Sequence, residues 1–592
     1  MAAKGSEWHY SGTFFQQPLS KEIRMYTASS ALLEALCETG VSYLFANLGS
    51  DHPAVVEGIA ESRAAGRPVP KVITCPNEMV ALSAAQGFAQ VTGRAQAVLV
   101  HVECGTQALA GAVHNGAKGR IPTLILAGAS PFTQEGELRG SRNEFIHWIQ
   151  DVFDQRGIVR GYVKYDNEIR TGKNIKQIVY RAMQFAHSDP KGPVYLMAAR
   201  EVLEEQVEPL APDFGNWMPV APSALAPDKL TTLVADLLAA RRPLVVTSSL
   251  GRNPRAVQQL VCFCRRLAVG MLESVPTCVN FPTDDPLYQG SQWNEPDQNR
   301  ILGEADFILA IDSDVPWIPL VNKPQKSAKI YHIDVDPLKE QMPLWHIPAH
   351  CVFRADAATA LDQIIERLER ASIDAAAVEE RRAHYASLHE ARRKELLKKE
   401  KGDVLTPEYL TACVRQHLDE DAIVLNEGIT SVGTIFDHLS ATRTGSVLAS
   451  GGGALGWNGG AAIGVKLARP EKTVVSLTGD GSYMFSVPAS VHWMARRYQT
   501  PFLQIIYNNR GWRAPKVSML AVHPEGYASK AEDIDVSFDP PPDYSGIAAA
   551  AGGAFAQIVR RPDELNKALA EALNAVRNER RCAVLDVWLP HL

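Results

Sequence analysis

From Thr27 onward, short apolar runs alternate with longer stretches of mixed polarity, and glycine or proline marks most of the joints. SALLEALCETG reads as helical text, whereas VSYLFANLG, PKVITC, AVLVHV, TLILAGAS and VYLMAA are short and apolar. Short apolar runs separated by helical segments fit strands covered on both faces, which predicts a parallel α/β sheet. Proline-rich text at 209–227 breaks this pattern and reads as a linker. A second α/β unit follows, with PLVVTSS, DFILAID and AKIYHIDVDP as strands and RAVQQLVCFCRRLA as helical text. Residues 374–402 are dense in charge and carry no continuous apolar stripe, which predicts an exposed helical connector rather than a nucleic-acid arm. The expected units are therefore 25–205, 222–373 and 403–592, with the connector between the last two.

In the third unit, TVVSLT reads as a buried strand that runs into Gly479-Asp480-Gly481. The stretch from Ser482 to Tyr498 is long enough for a crossover helix, and PFLQIIY reads as the next strand, bringing Asn508-Asn509 to the same sheet edge. Residues 511–542 show little periodicity and contain the run Pro540-Pro541-Pro542, so a long loop is expected, a place where active-site lids occur. A carboxylate and an amide oxygen meeting at one edge suit a hard cation such as Mg²⁺.

Composition narrows the picture. A chain of 592 residues is too long for one core, and three domains are expected. With 21% charged residues, 46% hydrophobic residues and a formal charge of -6, there is no basic footprint for nucleic acid. The nine cysteines are scattered without zinc-type spacing and read as reduced cytosolic thiols. No apolar run has membrane-spanning length, and MAAKGSEWHYSGTFF lacks the order of a signal peptide, so a cytoplasmic protein without membrane contact is expected. Pro590-His591-Leu592 only loosely resembles a peroxisomal tripeptide, because proline stands where a small residue is usual.

A lone Gly-Asp-Gly would read as an ordinary βαβ turn. With the spaced Asn-Asn and the flanking strands, however, the pattern resembles the diphosphate-binding signature of thiamine diphosphate (ThDP) enzymes. The resemblance implies that Asp480, Asn509 and the Gly511 carbonyl hold Mg²⁺, with Gly479, Gly481 and Ser482 also against the cofactor. Glu78, in Cys75-Pro76-Asn77-Glu78-Met79, precedes an alanine-rich helix ending in Gly87-Phe88-Ala89 and Thr92-Gly93. By itself it reads as a first-turn glutamate that favours the helix dipole. The resemblance makes it the catalytic acid that drives the cofactor's aminopyrimidine to its imino form.

Ser450 to Trp457 satisfies GxGxxG by spacing, but no acidic residue on a second strand follows to confirm a dinucleotide site. A glycine-rich segment stands here in ThDP enzymes of acetolactate-synthase type. On that resemblance the Gly453 carbonyl binds the cofactor's amino group and Leu455, otherwise a core leucine, wedges beneath its rings. Asn426, in the loop after AIVL, is placed to touch the diphosphate.

In the first unit, Ala46-Asn47-Leu48-Gly49-Ser50-Asp51-His52 and Leu99-Val100-His101-Val102-Glu103-Cys104-Gly105-Thr106 end two strands. They resemble two segments of benzoylformate decarboxylases, which makes Ser50 and His101 catalytic candidates. A histidine at a strand end can equally be structural, while His52 and His114 are weaker candidates. Gln150 lies near a substrate-contacting glutamine of acetolactate synthases, with spacing one residue off.

The resemblance spans nearly the whole chain, including Asp189-Pro190-Lys191-Gly192-Pro193-Val194. It implies three Rossmann-like doubly wound domains in a homodimer or homotetramer, with active sites between the first domain of one subunit and the last of another. The implied reaction starts from a small-molecule 2-oxo acid, which loses carbon dioxide; the remaining fragment is ligated to an aldehyde or ketone acceptor or simply protonated. Ligation is the first expectation, simple decarboxylation the second, and a silent homologue the third; Glu78, Asp480 and Asn509 together argue against the last. Acetolactate synthases also bind FAD. Here Ile311-Asp312-Ser313-Asp314 stands in the corresponding stretch, two carboxylates without a visible compensating arginine, which argues against FAD.

Overall fold

The computed structural model describes residues 26–531 and 534–591. The readings made on MAAKGSEWHYSGTFF and on Leu592, and the expected first domain residue, Met25, lie outside them. Three six-stranded sheets, all parallel in their pairings, carry the fold. In spatial order the first contains Lys71–Thr74, Tyr43–Ala46, Ala97–Val100, Thr123–Ala129, Pro193–Ala199 and Asp166–Ile169. The second contains Cys351–Arg354, Lys329–Asp334, Phe307–Ile311, Pro243–Thr247, Gly270–Ser274 and Tyr288–Gln292. The third contains Val447–Leu448, Ile423–Glu427, Val474–Gly479, Leu503–Asn508, Ala583–Trp588 and Phe555–Val559. Central strands such as Ala97–Val100 and Phe307–Ile311 are buried at every position, because helices cover both faces.

In each order the connections on either side of the sheet's first strand leave in opposite directions, and that switch point opens a crevice at the carboxyl ends of two strands. In the first sheet the strands are Tyr43–Ala46 and Ala97–Val100, which places the loops holding Ser50 and His101 side by side. In the third they are Ile423–Glu427 and Val474–Gly479, which places Gly428 beside the Gly479-Asp480 turn.

The helices behind these two crevices join the sheets. Glu78–Thr92 lies against Trp457–Ala468, and glycines let the two backbones approach closely there. A Cβ on Gly464 would stand 1.8 Å from the Ala84 carbonyl oxygen, and one on Gly87 would stand 2.2 Å from that of Ala461. One hydrophobic core consequently runs from Phe45 and Val98 through Trp457 to Tyr483, while a separate core fills the second unit.

Three local expectations are corrected. The crossover from Ser482 to Tyr498 is two helices, Asp480–Phe485 and Pro488–Tyr498. Val487 between them is left-handed (φ 54°), and Pro488 has no N–H with which to continue the first helix. The segment 511–542 is not all loop, since Arg513–Val522 is a helix without a buried residue, rooted by Trp512 N–H donating to Val536 O at 2.8 Å. Asp314 does have a compensating arginine. Arg120 comes from the first unit to Asp314 (3.1 Å) and Asp334 (2.8 Å), and Lys339 contacts both carboxylates (2.7 and 2.6 Å). The charged stretch after residue 374 forms the helix Ala375–Lys399, which buries Val378, Arg381 and Tyr385. No helix among the described residues is long and apolar enough to cross a membrane.

Candidate active site

Asp480 opens a helix directly after its strand, so its carboxylate remains at the sheet edge. Oδ1 accepts the Gly481 N–H at 2.8 Å and Oδ2 the Gly511 N–H at 3.0 Å, which ties the two halves of the motif together. Burial pushes the Asp480 carboxyl up to about 6 against these hydrogen bonds. Asn508 is committed elsewhere: its Nδ2 donates to Asp586 Oδ1 at 2.8 Å and its Oδ1 accepts Arg510 N–H. That leaves Asn509, whose Oδ1 is buried without a hydrogen-bond partner, as is the Ser482 Oγ. Buried polar oxygens without partners are uncommon and ask for an explanation. A cation with a diphosphate supplies one, so the residues present fit that group. The Gly511 carbonyl accepts Arg513 N–H at 3.1 Å and keeps a second lone pair. The Trp512 ring covers Gly481, where a side chain would collide with it at 2.3 Å.

Beside this clasp, Gly453 is exposed and faces open space, its N–H donating to His114 Nε2 at 3.2 Å; Leu455 is half-buried in the same loop. Asn426 does not face outward. Its amide donates to Val432 O and accepts Gly428 N–H, so it shapes its own loop rather than offering a diphosphate contact. Its neighbour Glu427 went unread in the sequence. Its buried carboxyl accepts the N–H groups of Gly456 (2.8 Å), Trp457 (3.3 Å) and Asn458 (2.9 Å), the unsatisfied donors at the start of the helix Trp457–Ala468. Burial pushes it up to about 7.

On the first unit, Glu78 is the first residue of its helix, capped by Asn77, whose side chain accepts Val80 N–H at 3.1 Å. It is half-buried, and desolvation raises its carboxyl above the ordinary range. His101 lies in the same cleft. Its Nδ1 is 2.6 Å from Asp51 Oδ1 and its Nε2 is 2.9 Å from Gln150 Oε1. The Asp51 hydrogen bond raises its pKa above the usual value. Gln150, out of step in sequence, is thus brought onto His101. Ser50 is not: its Oγ lies 3.3 Å from His147 Nε2, a ring that also meets Arg200. His52 is fully buried with its pKa lowered, chiefly by burial.

Asp51 also escaped the sequence reading. Two glycines make room for it: a Cβ on Gly128 would meet Asp51 Oδ2 at 1.7 Å, and one on Gly49 would meet its Oδ1 at 2.8 Å.

With this geometry in view, comparison with known proteins gives a consistent result. Models of the thiamine pyrophosphate enzyme family match the N-terminal TPP binding domain at residues 26–158, the central domain at 230–364 and the C-terminal TPP binding domain at 428–587. The chain belongs to the thiamine pyrophosphate enzymes. It is 25% identical to a benzoylformate decarboxylase of Pseudomonas aeruginosa over 93% of this chain and 98% of the other. It is 25% identical to the large subunit of acetolactate synthase isozyme 3 of Escherichia coli over 85% of each, and 23% identical to a probable 2-ketoarginine decarboxylase of P. aeruginosa over 91% and 90%. Among solved structures, a 4-hydroxybenzoylformate decarboxylase of Rhodococcus jostii shares the fold with a TM-score of 0.75 at 21% identity, covering 96% of this chain and all of that one.

Proposed function

We propose that this protein is a ThDP- and Mg²⁺-dependent decarboxylase of 2-oxo acids that releases an aldehyde. When bound, the cofactor supplies a nucleophilic carbon and an electron sink for loss of carbon dioxide. Asp480, Asn509 and the Gly511 carbonyl would hold the cation, Ser482 and the turn at 479–481 the diphosphate, and Gly453 and Leu455 the aminopyrimidine. Glu78 holds a proton at its raised carboxyl. His101 supplies a proton donor at Nε2 where the substrate fragment must be protonated.

The observation that carries this reading over ligation is His101 itself, with oxygen acceptors at both ring nitrogens in the cleft of Glu78. Gln150, the acetolactate-synthase-like glutamine, favours the second reading, in which the fragment is ligated to a carbonyl acceptor. Neither reading draws on a flavin, although with Asp314 and Asp334 neutralised by Arg120 and Lys339 the charge argument against one lapses. Large apolar side chains lie exposed beside both halves of the site, Phe145 (77%), Ile149 (69%) and Phe153 near Gln150 and Phe485 (52%) near Asp480. We take a second copy of the chain as their cover.

Products decide between the two readings. Pyruvate, 2-oxobutyrate, benzoylformate and longer 2-oxo acids, incubated with ThDP and Mg²⁺ with and without an added aldehyde, should yield the aldehyde one carbon shorter. A 2-hydroxy ketone or acetohydroxy acid as main product would establish ligation instead.

A further inference from the structure

We propose that Asp51 is the positioning residue of the cleft: its buried carboxylate pins His101 as an imidazolium, so that the 2-oxo acid meets a fixed positive N–H donor. This deepens the reading above and rests on it.

Three observations carry the proposal. Asp51 is 1% exposed, and an ionised carboxylate survives such burial only when paired and hydrogen-bonded. Val102 N–H donates to Oδ2 at 3.0 Å, which fixes the carboxylate and turns Oδ1 to His101 Nδ1 at 2.6 Å. The neighbouring His52 cannot serve as the partner, because its Nδ1 accepts Gly49 N–H at 3.0 Å although it lies 3.1 Å from Asp51 Oδ1. Finally, Nε2 of His101 faces a second acceptor, Gln150 Oε1, whose orientation follows from its Nε2 pointing at Cys104 Sγ, 3.5 Å away. An imidazole with acceptors at both nitrogens carries both protons.

The charged groups around His101 agree. Asp51 and the neutral His52 face it from the loop after the first strand, and Glu78 from the helix start; Glu103, behind Gln150, accepts the Cys104 thiol. The charged groups that act on it, Asp51 and Glu78, are both acidic. Asp51 is itself held below the usual carboxylate range: burial raises it, but the His101 hydrogen bond, the imidazoles of His52 and His101 and the Val102 N–H together outweigh that.

The test is the titration of His101 in the full-length protein, followed by NMR of labelled histidine, with His101→Gln assigning the signal and Asp51→Asn as the probe. The proposal expects His101 to be doubly protonated at pH 7 in the wild type and to titrate at a lower pH in Asp51→Asn. The alkaline limb of kcat/KM should move down with it, with a loss of about tenfold at pH 8. An unprotonated His101 at pH 7, or an unmoved midpoint in the variant, would overturn it. Should Asp51→Asn fail to fold, the wild-type titration alone decides. Because the titration needs no turnover, it stands or falls separately from the decarboxylase reading.

Discussion

At the residue scale, the site divides labour between groups whose surroundings push them apart. Glu78 is raised by burial and has no ion-pair partner among the described residues, which suits a group that must hold a proton. Replacing Glu78 with Gln should leave ThDP binding intact and lower turnover by about 10³-fold, measured as kcat beside a calorimetric binding isotherm. Asp480→Ala should do the reverse. It removes a ligand, so Mg²⁺-dependent ThDP affinity should fall by more than the roughly 100-fold that losing an outer-shell partner costs. The pH dependence follows from His101, whose pKa is raised. The protonated ring is the working form, so activity should persist above pH 6.5, the ordinary midpoint of histidine, and fall only as pH rises through the higher folded value. The Gly-Asp-Gly and Asn-Asn residues were legible because they are contiguous with their strands. Asp51 was not, because its link to His101 spans 50 positions and exists only where two strand ends meet at a switch point. Arg120 was missed for the same reason, 194 positions from Asp314.

At the scale of elements, central strands such as Ala97–Val100 and Phe307–Ile311 announced themselves because both faces are covered and every position is apolar. The edge strand Asp166–Ile169, with sequence DNEI, did not: it is a strand by pairing alone. The helix Arg513–Val522 was missed for the opposite reason, since it buries nothing and so carries no core-facing stripe. Two helices hold the halves of the site together. In the pair Glu78–Thr92 and Trp457–Ala468, Gly464→Val should separate the backbones that now touch, lowering the melting temperature and ThDP affinity together. Glu427→Ala should strip the start of Trp457–Ala468 of its acceptor, leaving three N–H groups without it. A loss of about 3 kcal/mol in denaturant unfolding is expected, with no comparable effect from Asp421→Ala on the same domain's surface.

At the scale of the whole molecule, the first and third sheets share one core, while the second unit has its own and is tied to the first by Arg120 with Asp314 and Asp334 and to the third by Val279 and Ser291. Exposed apolar side chains flank both halves of the site, so a second copy should complete it. If each site takes Glu78 from one subunit and Asp480 from the other, mixing Glu78→Gln with Asp480→Ala chains after subunit exchange restores about a quarter of wild-type activity. No restoration would place both residues of a site on one chain.

The central claim is that a ThDP clasp and Glu78 decarboxylate a 2-oxo acid. The most direct measurement is carbon dioxide release from a panel of 2-oxo acids by the wild type and Glu78→Gln, each with and without ThDP and Mg²⁺. The account predicts release from at least one acid, only with the cofactor, and slower by about 10³-fold in Glu78→Gln. Undiminished release in Glu78→Gln, release without ThDP, or no release from any acid would contradict it.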